Sequence, residues 1–250
     1  MSAEARPDAS GLRARAEEVL GRIAEAARRA GRDPREVTLV AVSKTHTAAL
    51  VREAAAAGLT DFGENRVQEA EGKIAELRPE APHLRWHLIG HLQPNKARRA
   101  VRLFDLIHSV DSAALVERLE RICAEEGRAS LGVLVQVDLA GEETKNGATE
   151  DELPAVFERL KACERVRCRG LMLLPPFFED AGRVRPFFQR LRELRDEWRA
   201  RGAFIGGVGD GEGVGELSMG MSHDYEVAVE EGATLVRVGT AVFGERGVKV

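Results

Sequence analysis

The chain has 250 residues, of which 44% are hydrophobic and 31% are charged, and its formal net charge is -4. These values are typical of a soluble globular protein and exclude a disordered chain. A weakly acidic chain lacks the clustered cationic surface that general nucleic-acid binding requires, and no apolar run is long enough for a membrane helix.

The few cysteines and lysines narrow the possibilities further. Cys123, Cys163 and Cys168 have neither the number nor the spacing of a disulfide framework, so we expect reduced, mostly buried thiols in a cytoplasmic protein. Residues 1–10 lack an apolar signal-peptide core and are expected to form a flexible tail before a single domain at residues 11–250. Only six of the 37 basic residues are lysine, so each lysine is a candidate for chemistry that needs an amine.

Short apolar runs alternate with amphipathic segments along the chain. The first amphipathic helix is predicted at residues 12–30, and Gly31 and Pro34 are typical of its end. Eight strands are then predicted at residues 37–42, 60–63, 86–90, 106–110, 131–139, 168–174, 216–219 and 235–238. Helices are predicted between them at residues 48–57, 65–77, 96–104, 112–126, 150–163, 184–201 and 224–231.

Strands that alternate with helices indicate parallel pairing, because each parallel step needs a crossover connection. Eight such units predict an α/β protein with one closed (β/α)8 TIM-like barrel and an extra N-terminal helix. An open doubly wound sheet is the alternative. In a barrel, functional residues lie at the C-terminal ends of the strands, which directs attention to the residues that follow each predicted strand.

Two strand ends carry residues with a chemical use. Lys44 ends the first strand, and an amine held in a cavity away from water can attack an aldehyde to form a Schiff base. The alternative is a lysine that reaches solvent at the rim. Gly239 and Thr240 end the last strand and suit a phosphate, with further small donors at residues 218–222. The alternative to a phosphate site is that these residues have structural roles only, as a turn glycine and an N-cap serine.

Two other patterns predict no site. The glycine-rich stretch at residues 206–213 fits no dinucleotide-binding motif, and its acids would repel a phosphate, so we expect a mobile loop. His83, His87 and His91 recur at four-residue intervals. They fall in and around a predicted strand, where this spacing does not give helical ligand geometry, so no metal is expected.

Six separate segments, all in register, resemble the pyridoxal 5'-phosphate homeostasis proteins, single-domain relatives of the alanine racemase barrel. They are VAVSKT (40–45), FGENRVQE (62–69), WHLIGHLQPNK (86–96), RGLM (169–172), LSMGMS (217–222) and RVGTAVFG (237–244). The resemblance covers roughly residues 37–246. The stretches at residues 175–178 and 206–216 depart from the family pattern, which puts loop contacts over the cofactor in question.

The resemblance implies a site for pyridoxal 5'-phosphate (PLP). The implied cofactor-binding residues are Lys44, Asn65, Ser218, Met221, Ser222, Arg237, Gly239 and Thr240. Lys44 would carry PLP as a Schiff base, the last two residues and Ser222 would hold the phosphate, and Arg237 would face the pyridine nitrogen. A guanidinium donates to that nitrogen and keeps it unprotonated. An unprotonated pyridine is a poorer electron sink, so it gives only weak support to carbanion chemistry at a bound amino acid. Lys145 matches a second lysine near the cofactor's exit.

The same resemblance favours a non-enzymatic role. An alanine racemase needs a second, β-rich domain and a tyrosine from a partner subunit, whereas the barrel here takes up nearly the whole chain and Tyr225 is its only tyrosine. We therefore expect a monomer that buffers PLP and delivers it to PLP-requiring apoenzymes, with no nucleic-acid or membrane partner. The alternatives are a PLP-dependent amino-acid racemase or lyase, and an aldolase-type barrel in which Lys44 attacks a sugar-phosphate carbonyl.

Overall fold

The computed structural model describes residues 9–141, 146–205 and 213–244. Within these ranges the strands are Thr38–Val42 (β1), Asp61–Glu64 (β2), Arg85–Leu88 (β3), Leu106–Val110 (β4), Leu131–Val137 (β5), Val166–Leu173 (β6), Glu216–Met221 (β7) and Leu235–Val238 (β8). Each strand pairs in parallel with the next along the chain, and β8 pairs with β1. The predicted closed barrel is confirmed, and the open doubly wound sheet is wrong.

Helices lie on the outside of the barrel, and all of those described except the first and the last connect consecutive strands. They are Ala9–Arg29 (α1), Ala48–Ala56 (α2), Val67–Leu77 (α3), Ala97–Leu103 (α4), Ala113–Glu125 (α5), Leu153–Lys161 (α6), Arg185–Ala200 (α7), Tyr225–Glu230 (α8) and Thr240–Phe243 (α9). The start of α6 lies three residues later than predicted, because Pro154 occupies its first turn, where a missing amide proton has no cost. No helix within the described ranges has the length and apolarity of a membrane span.

The extra N-terminal helix α1 joins the beginning of the barrel to its end. It packs against α2, α8 and α9 through an inner face made of Leu12, Ala16, Val19 and Ile23. These apolar residues recur at helical spacing, as expected for a helix with one buried face. Arg15 Nε donates to the Val242 carbonyl at 2.9 Å, which ties α1 to the last helix. The predicted N-terminal helix is therefore confirmed.

The strands alternate between two environments. On β8, Val236 and Val238 belong to the large apolar cluster between the sheet and the helices. Leu235 belongs to a small second cluster with Val40, Leu106, Leu134 and Met172, on the inner side of the barrel. Arg237 shares the inner side with Leu235, because alternate residues of a strand face the same way. Polar groups in this interior need hydrogen-bond partners to be tolerated.

Candidate functional site

A cavity of about 430 Å³ opens at the C-terminal ends of the strands. Seven of the eight predicted site residues line it: Lys44, Asn65, Met221, Ser222, Arg237, Gly239 and Thr240. The eighth, Ser218, is fully buried and reaches the cavity only through its hydrogen bond with Arg237. The barrel thus brings residues from four strand ends into one place, as the sequence interpretation requires.

Other lining residues were not among the predicted site. They are Val42, His46, Ile89, Gly90, His91 and Leu174. The His46 ring stacks on Phe243 with centroids 4.8 Å apart. Gly90 is constrained by close packing, because a Cβ there would lie 2.3 Å from the Asn65 carbonyl oxygen. Gly90 ends the third predicted strand and His91 follows it, and that position is the signal by which they could be found.

Lys44 lies in a tight turn directly after β1, and its side chain is half-buried against the cavity. On one side, the Ser43 amide donates to the Gly63 carbonyl at 3.0 Å. On the other side, Thr45 has a φ of 68°, a left-handed conformation that is unfavourable for a β-branched residue. Such a residue costs about 1–3 kcal/mol and persists only where its surroundings impose it. The turn that carries Lys44 is therefore held by other groups.

Three side chains hold this turn, and Glu64, Glu69 and Lys73 are together called the Lys44 clamp. Lys73 Nζ donates to the Ser43 carbonyl at 2.7 Å, to Glu64 Oε1 at 2.7 Å and to Glu69 Oε1 at 3.0 Å. Glu64 Oε1 also accepts the Ser43 hydroxyl at 2.6 Å. Glu69 accepts the backbone amide on the other side of Lys44. The clamp therefore fixes the backbone immediately before and after Lys44.

The clamp is deeply buried, and burial shapes its charges. Glu64 is 0% exposed and Lys73 is 8% exposed. Burial raises the pKa of Glu64, and the hydrogen bonds from Lys73 and Ser43 offset only part of that rise. For Glu69, hydrogen bonds from Lys73 and the Thr45 amide outweigh burial, so its pKa is lowered. The sequence did not reveal the clamp, although a lysine on the buried face of the predicted helix at residues 65–77 was its signal.

Arg237 lies at the floor of the cavity and is only 3% exposed. Its Nη1 donates to Ser218 Oγ at 2.6 Å, and its Nη2 donates to the Leu173 carbonyl at 2.8 Å. Burial lowers the pKa of Arg237 to about 10, so the guanidinium keeps its positive charge at neutral pH. The cavity therefore has a fixed cation at its base.

The ends of β7 and β8 meet at one wall of the cavity. The Gly239 amide donates to Ser222 Oγ at 3.2 Å, which joins the two strand ends. Thr240 is exposed beside them and begins α9. A Cβ at Gly239 would lie 3.4 Å from the Val42 carbonyl oxygen. None of the described residues that line the cavity is acidic, so these donors and the Arg237 cation suit an anionic ligand.

Three predicted features lie wholly or partly outside the described residues, and the first is the predicted N-terminal tail, of which residues 1–8 are not described. Lys145, the second predicted lysine, falls in the gap at residues 142–145. Residues 206–212 of the predicted glycine-rich loop fall in the second gap. The three cysteines lie inside the described ranges and are free and buried, as their spacing predicts.

Comparisons with known proteins identify relatives of this chain. The family model of the alanine racemase N-terminal domain matches residues 19–247. A pyridoxal phosphate homeostasis protein of Pseudomonas aeruginosa is 46% identical over 228 residues, which are 91% of this chain and 93% of that relative. PipY of Synechococcus elongatus, solved with PLP bound, has a TM-score of 0.76 and 46% identity, covering 89% of this chain and 100% of that chain.

A more distant neighbour shares the barrel. The alanine racemase of Corynebacterium glutamicum matches with a TM-score of 0.62 and 18% identity, covering 93% of this chain and 62% of that chain. At that identity the likeness is one of fold alone. The relatives with high identity are therefore the ones that define the family.

Proposed function

Since the chain belongs to the family of the pyridoxal phosphate homeostasis proteins, we propose that it binds PLP reversibly in the Lys44 cavity. In this role it buffers and delivers the cofactor without catalytic turnover. The observation that carries the proposal is that one cavity is lined by Lys44, Arg237 and the Ser222, Gly239 and Thr240 group. A relative of 46% identity, PipY, has been solved with PLP bound.

The residues present fit PLP in size and in chemistry. A cavity of about 430 Å³ lies within the usual range for small-molecule sites. PLP carries an aldehyde, a pyridine ring and a phosphate. The cavity offers a lysine amine, a buried guanidinium and a group of hydroxyl and amide donors. The lack of acidic residues among the described lining residues avoids repulsion of the phosphate.

Each group of the chain has a proposed role toward PLP. Lys44 holds the aldehyde as a Schiff base, for which its turn is fixed by the Lys44 clamp. Arg237 donates to the pyridine nitrogen and keeps it unprotonated, so that the ring is a poor electron sink. The phosphate is held by Ser222, Gly239 and Thr240, the last two at the end of β8. Asn65 and Met221 complete the walls, and Ser218 acts through Arg237.

Proton chemistry on a bound amino acid would need a second base opposite Lys44. Tyr225 is 3% exposed, is not one of the lining residues, and its hydroxyl makes no hydrogen bond within the described ranges. His46 and His91 do line the cavity and are the groups that an enzyme would use. Turnover of amino acids is therefore the measurement that separates a carrier from a racemase or lyase.

We propose further that the protein is a cytoplasmic monomer that passes PLP to PLP-requiring apoenzymes. The free, buried thiols of the three cysteines support a reducing compartment. A second PLP contact at Lys145 stays a prediction.

Borohydride trapping tests the assignment of Lys44. Purified protein mixed with PLP is expected to turn yellow, and reduction should attach PLP to the peptide that contains Lys44. Lys44→Ala should abolish trapping, whereas the control Lys96→Ala, in the neighbouring cleft, should not. Trapping at another lysine in Lys44→Ala would contradict the assignment. A colourless protein that captures sugar phosphates would indicate an aldolase instead.

An assay of amino-acid turnover tests the absence of catalysis. L- and D-amino acids incubated with the PLP-loaded protein are expected to show neither racemisation nor decarboxylation. Turnover that is lost in Lys44→Ala would refute the carrier proposal and favour a PLP-dependent enzyme. His46→Ala and His91→Ala would then identify the second base.

A further inference from the structure

A line of hydrogen bonds crosses the inside of the barrel and ends at Arg237. Asp61 Oδ1 is 2.9 Å from His87 Nε2, and His87 Nδ1 is 2.9 Å from His108 Nε2. His108 Nδ1 is 2.9 Å from Ser218 Oγ, which accepts from Arg237 Nη1 at 2.6 Å. All five residues are at most 4% exposed. Asp61, His87, His108 and Ser218 are together called the Asp61–Ser218 network.

The network begins at the end of the barrel opposite the cavity. Asp61 is the first residue of β2, whereas the cavity lies at the strands' C-terminal ends. The other carboxylate oxygen, Oδ2, accepts from Thr60 Oγ1 at 2.7 Å and from Arg85 Nη2 at 2.9 Å. Burial raises the pKa of Asp61, but the hydrogen bonds from His87 and its neighbours outweigh burial, and the pKa is lowered. Asp61 is therefore a carboxylate and can only accept hydrogen bonds.

The charges next to the histidines restrict where their protons can lie. Burial, with the neighbouring His87 and Arg237, keeps the pKa of His108 well below its usual value. His108 is therefore neutral and carries one ring proton. Arg85 Nε is 2.9 Å from Asp61 Oδ1 and balances the Asp61 charge. The proton order follows for two histidines that each carry one ring proton.

Only one proton order then satisfies every group. His87 donates from Nε2 to Asp61, and His108 donates from Nε2 to the free Nδ1 of His87. The Ser218 hydroxyl donates to His108 Nδ1, which leaves its lone pairs for Arg237. In the reversed order, Ser218 Oγ would face two donors, and its own proton would have no acceptor among the described residues. A buried donor without an acceptor loses its hydrogen bonds to water and gains none in the protein, so the first order is favoured.

We propose that the Asp61 carboxylate fixes this proton order and thereby holds Ser218 as the acceptor that orients the Arg237 guanidinium in the PLP cavity. Asp61, His87 and His108 are positioning residues, because they act on the cavity through Ser218. The proposal rests on the proposed function, since it assigns these residues an effect on PLP. It predicts that a carboxylate outside the cavity, at the other end of the barrel, influences the affinity for PLP and the absorption spectrum of bound PLP.

Nitrogen NMR of the protein without PLP tests the proton order directly. With ¹⁵N-labelled histidine, both His87 and His108 are expected to carry their proton on Nε2. Asp61→Leu removes the acceptor at nearly constant shape. Either order then leaves one buried donor unpaired, the His87 Nε2–H or the Ser218 hydroxyl, so the protons should divide between Nε2 and Nδ1 instead of staying on Nε2. The same variant should weaken PLP binding about fivefold, the effect of about one hydrogen bond, and shift the absorption maximum of bound PLP.

Asp105→Leu is the matched control, since Asp105 accepts the Trp86 amide at 2.7 Å beside His87 but does not touch the network. It should change neither the histidine protons nor PLP binding. Equal effects in this control would overturn the proposal as a purely structural disturbance. A wild-type histidine protonated on Nδ1, or reordered protons in Asp61→Leu with unchanged PLP affinity, would also overturn it.

Ser218→Ala keeps the test open if Asp61→Leu does not fold. It should weaken PLP binding about fivefold, because Arg237 Nη1 loses its acceptor, and unchanged binding would overturn the proposal. In the Ser218→Ala background, Asp61→Leu should have no further effect on PLP binding. If the wild-type protein binds no PLP, the proposed function fails, whereas the NMR result without PLP still decides the proton order.

Discussion

Replacing Lys73 with methionine is expected to lower the free energy of unfolding by about 3–5 kcal/mol at neutral pH, the usual cost of removing one partner of a buried ion pair. The variant loses hydrogen bonds to Glu64 and Ser43, both 2.7 Å long, and one to Glu69 of 3.0 Å. Glu64 is left at 0% exposure with one hydrogen bond, from the Ser43 hydroxyl, and its Oε2 already has no partner within the described ranges. Methionine keeps most of the side-chain volume, so the loss reports the charge rather than a cavity.

The loss should depend on pH in one direction. Burial raises the pKa of Glu64 above 4.5, whereas the hydrogen bond and the positive charge of Lys73 both lower it. Lys73→Met removes these two effects, so the pKa of Glu64 rises further. A carboxyl group whose pKa is raised by folding stabilises the folded state below its unfolded pKa, and that stability is lost as pH rises through the folded pKa. The cost of Lys73→Met is therefore greatest at neutral pH and shrinks as the pH falls toward 4.5.

Urea unfolding followed by circular dichroism, at neutral and mildly acidic pH, measures this prediction. The control Lys161→Met changes an exposed lysine at the end of α6 and should alter the unfolding free energy by less than about 0.5 kcal/mol. The double variant Glu64→Gln with Lys73→Met should recover most of the loss, because no buried charge remains. A loss below about 1 kcal/mol, or one that grows on acidification, would refute the buried ion pair as the basis of the Lys44 clamp.

Two further predictions concern the barrel around the site. Burial raises the pKa of the three cysteine thiols to about 11 or 12. They should therefore not react with Ellman's reagent in the folded protein and should all react in urea. Rapid reaction in the folded protein would contradict their burial. Gly90→Ala should cost about 1–3 kcal/mol and weaken PLP binding, because its Cβ would lie 2.3 Å from the Asn65 carbonyl oxygen. Gly72→Ala is the control, because the added Cβ on α3 has nothing within 4 Å, and it should be neutral or slightly stabilising. Equal losses of unfolding free energy in the two variants, measured by urea unfolding, would refute the packing explanation.

The strands could be predicted from the sequence because parallel strands are buried on both faces and read as nearly continuous apolar runs. The bounds of all eight differ from the predicted ones by at most two residues at either end. The last predicted strand, residues 235–238, coincides with β8, whereas β7 continues two residues beyond its prediction to Met221. Gly220, in the left-handed region at a φ of 89°, hid that extension, since a glycine usually interrupts a strand pattern.

The cavity residues could be predicted because each lies at or close to the C-terminal end of a strand, so their order along the sequence is also their position in space. The Lys44 clamp and the Asp61–Ser218 network could not be predicted in this way. Ser218 and His108 are 110 residues apart and are joined by a hydrogen bond across the barrel. A linear sequence contains no information on which polar side chains of different elements meet, although His108 and Ser218 each lie in a largely apolar strand.

The buried polar residues explain how the barrel holds the turn of Lys44 and the Arg237 guanidinium in fixed positions. A fully apolar interior would be the more stable choice, because buried polar groups are tolerated only when every donor and acceptor is matched. In this barrel the interior apolar cluster has five buried residues. Glu64, His108 and Ser218 fill buried strand positions, and Lys73 is buried on α3. Their hydrogen bonds lead to the turn of Lys44 on one side and to Arg237 on the other. Since both groups are set from outside the cavity, substitutions that leave its lining intact should still change how it holds PLP.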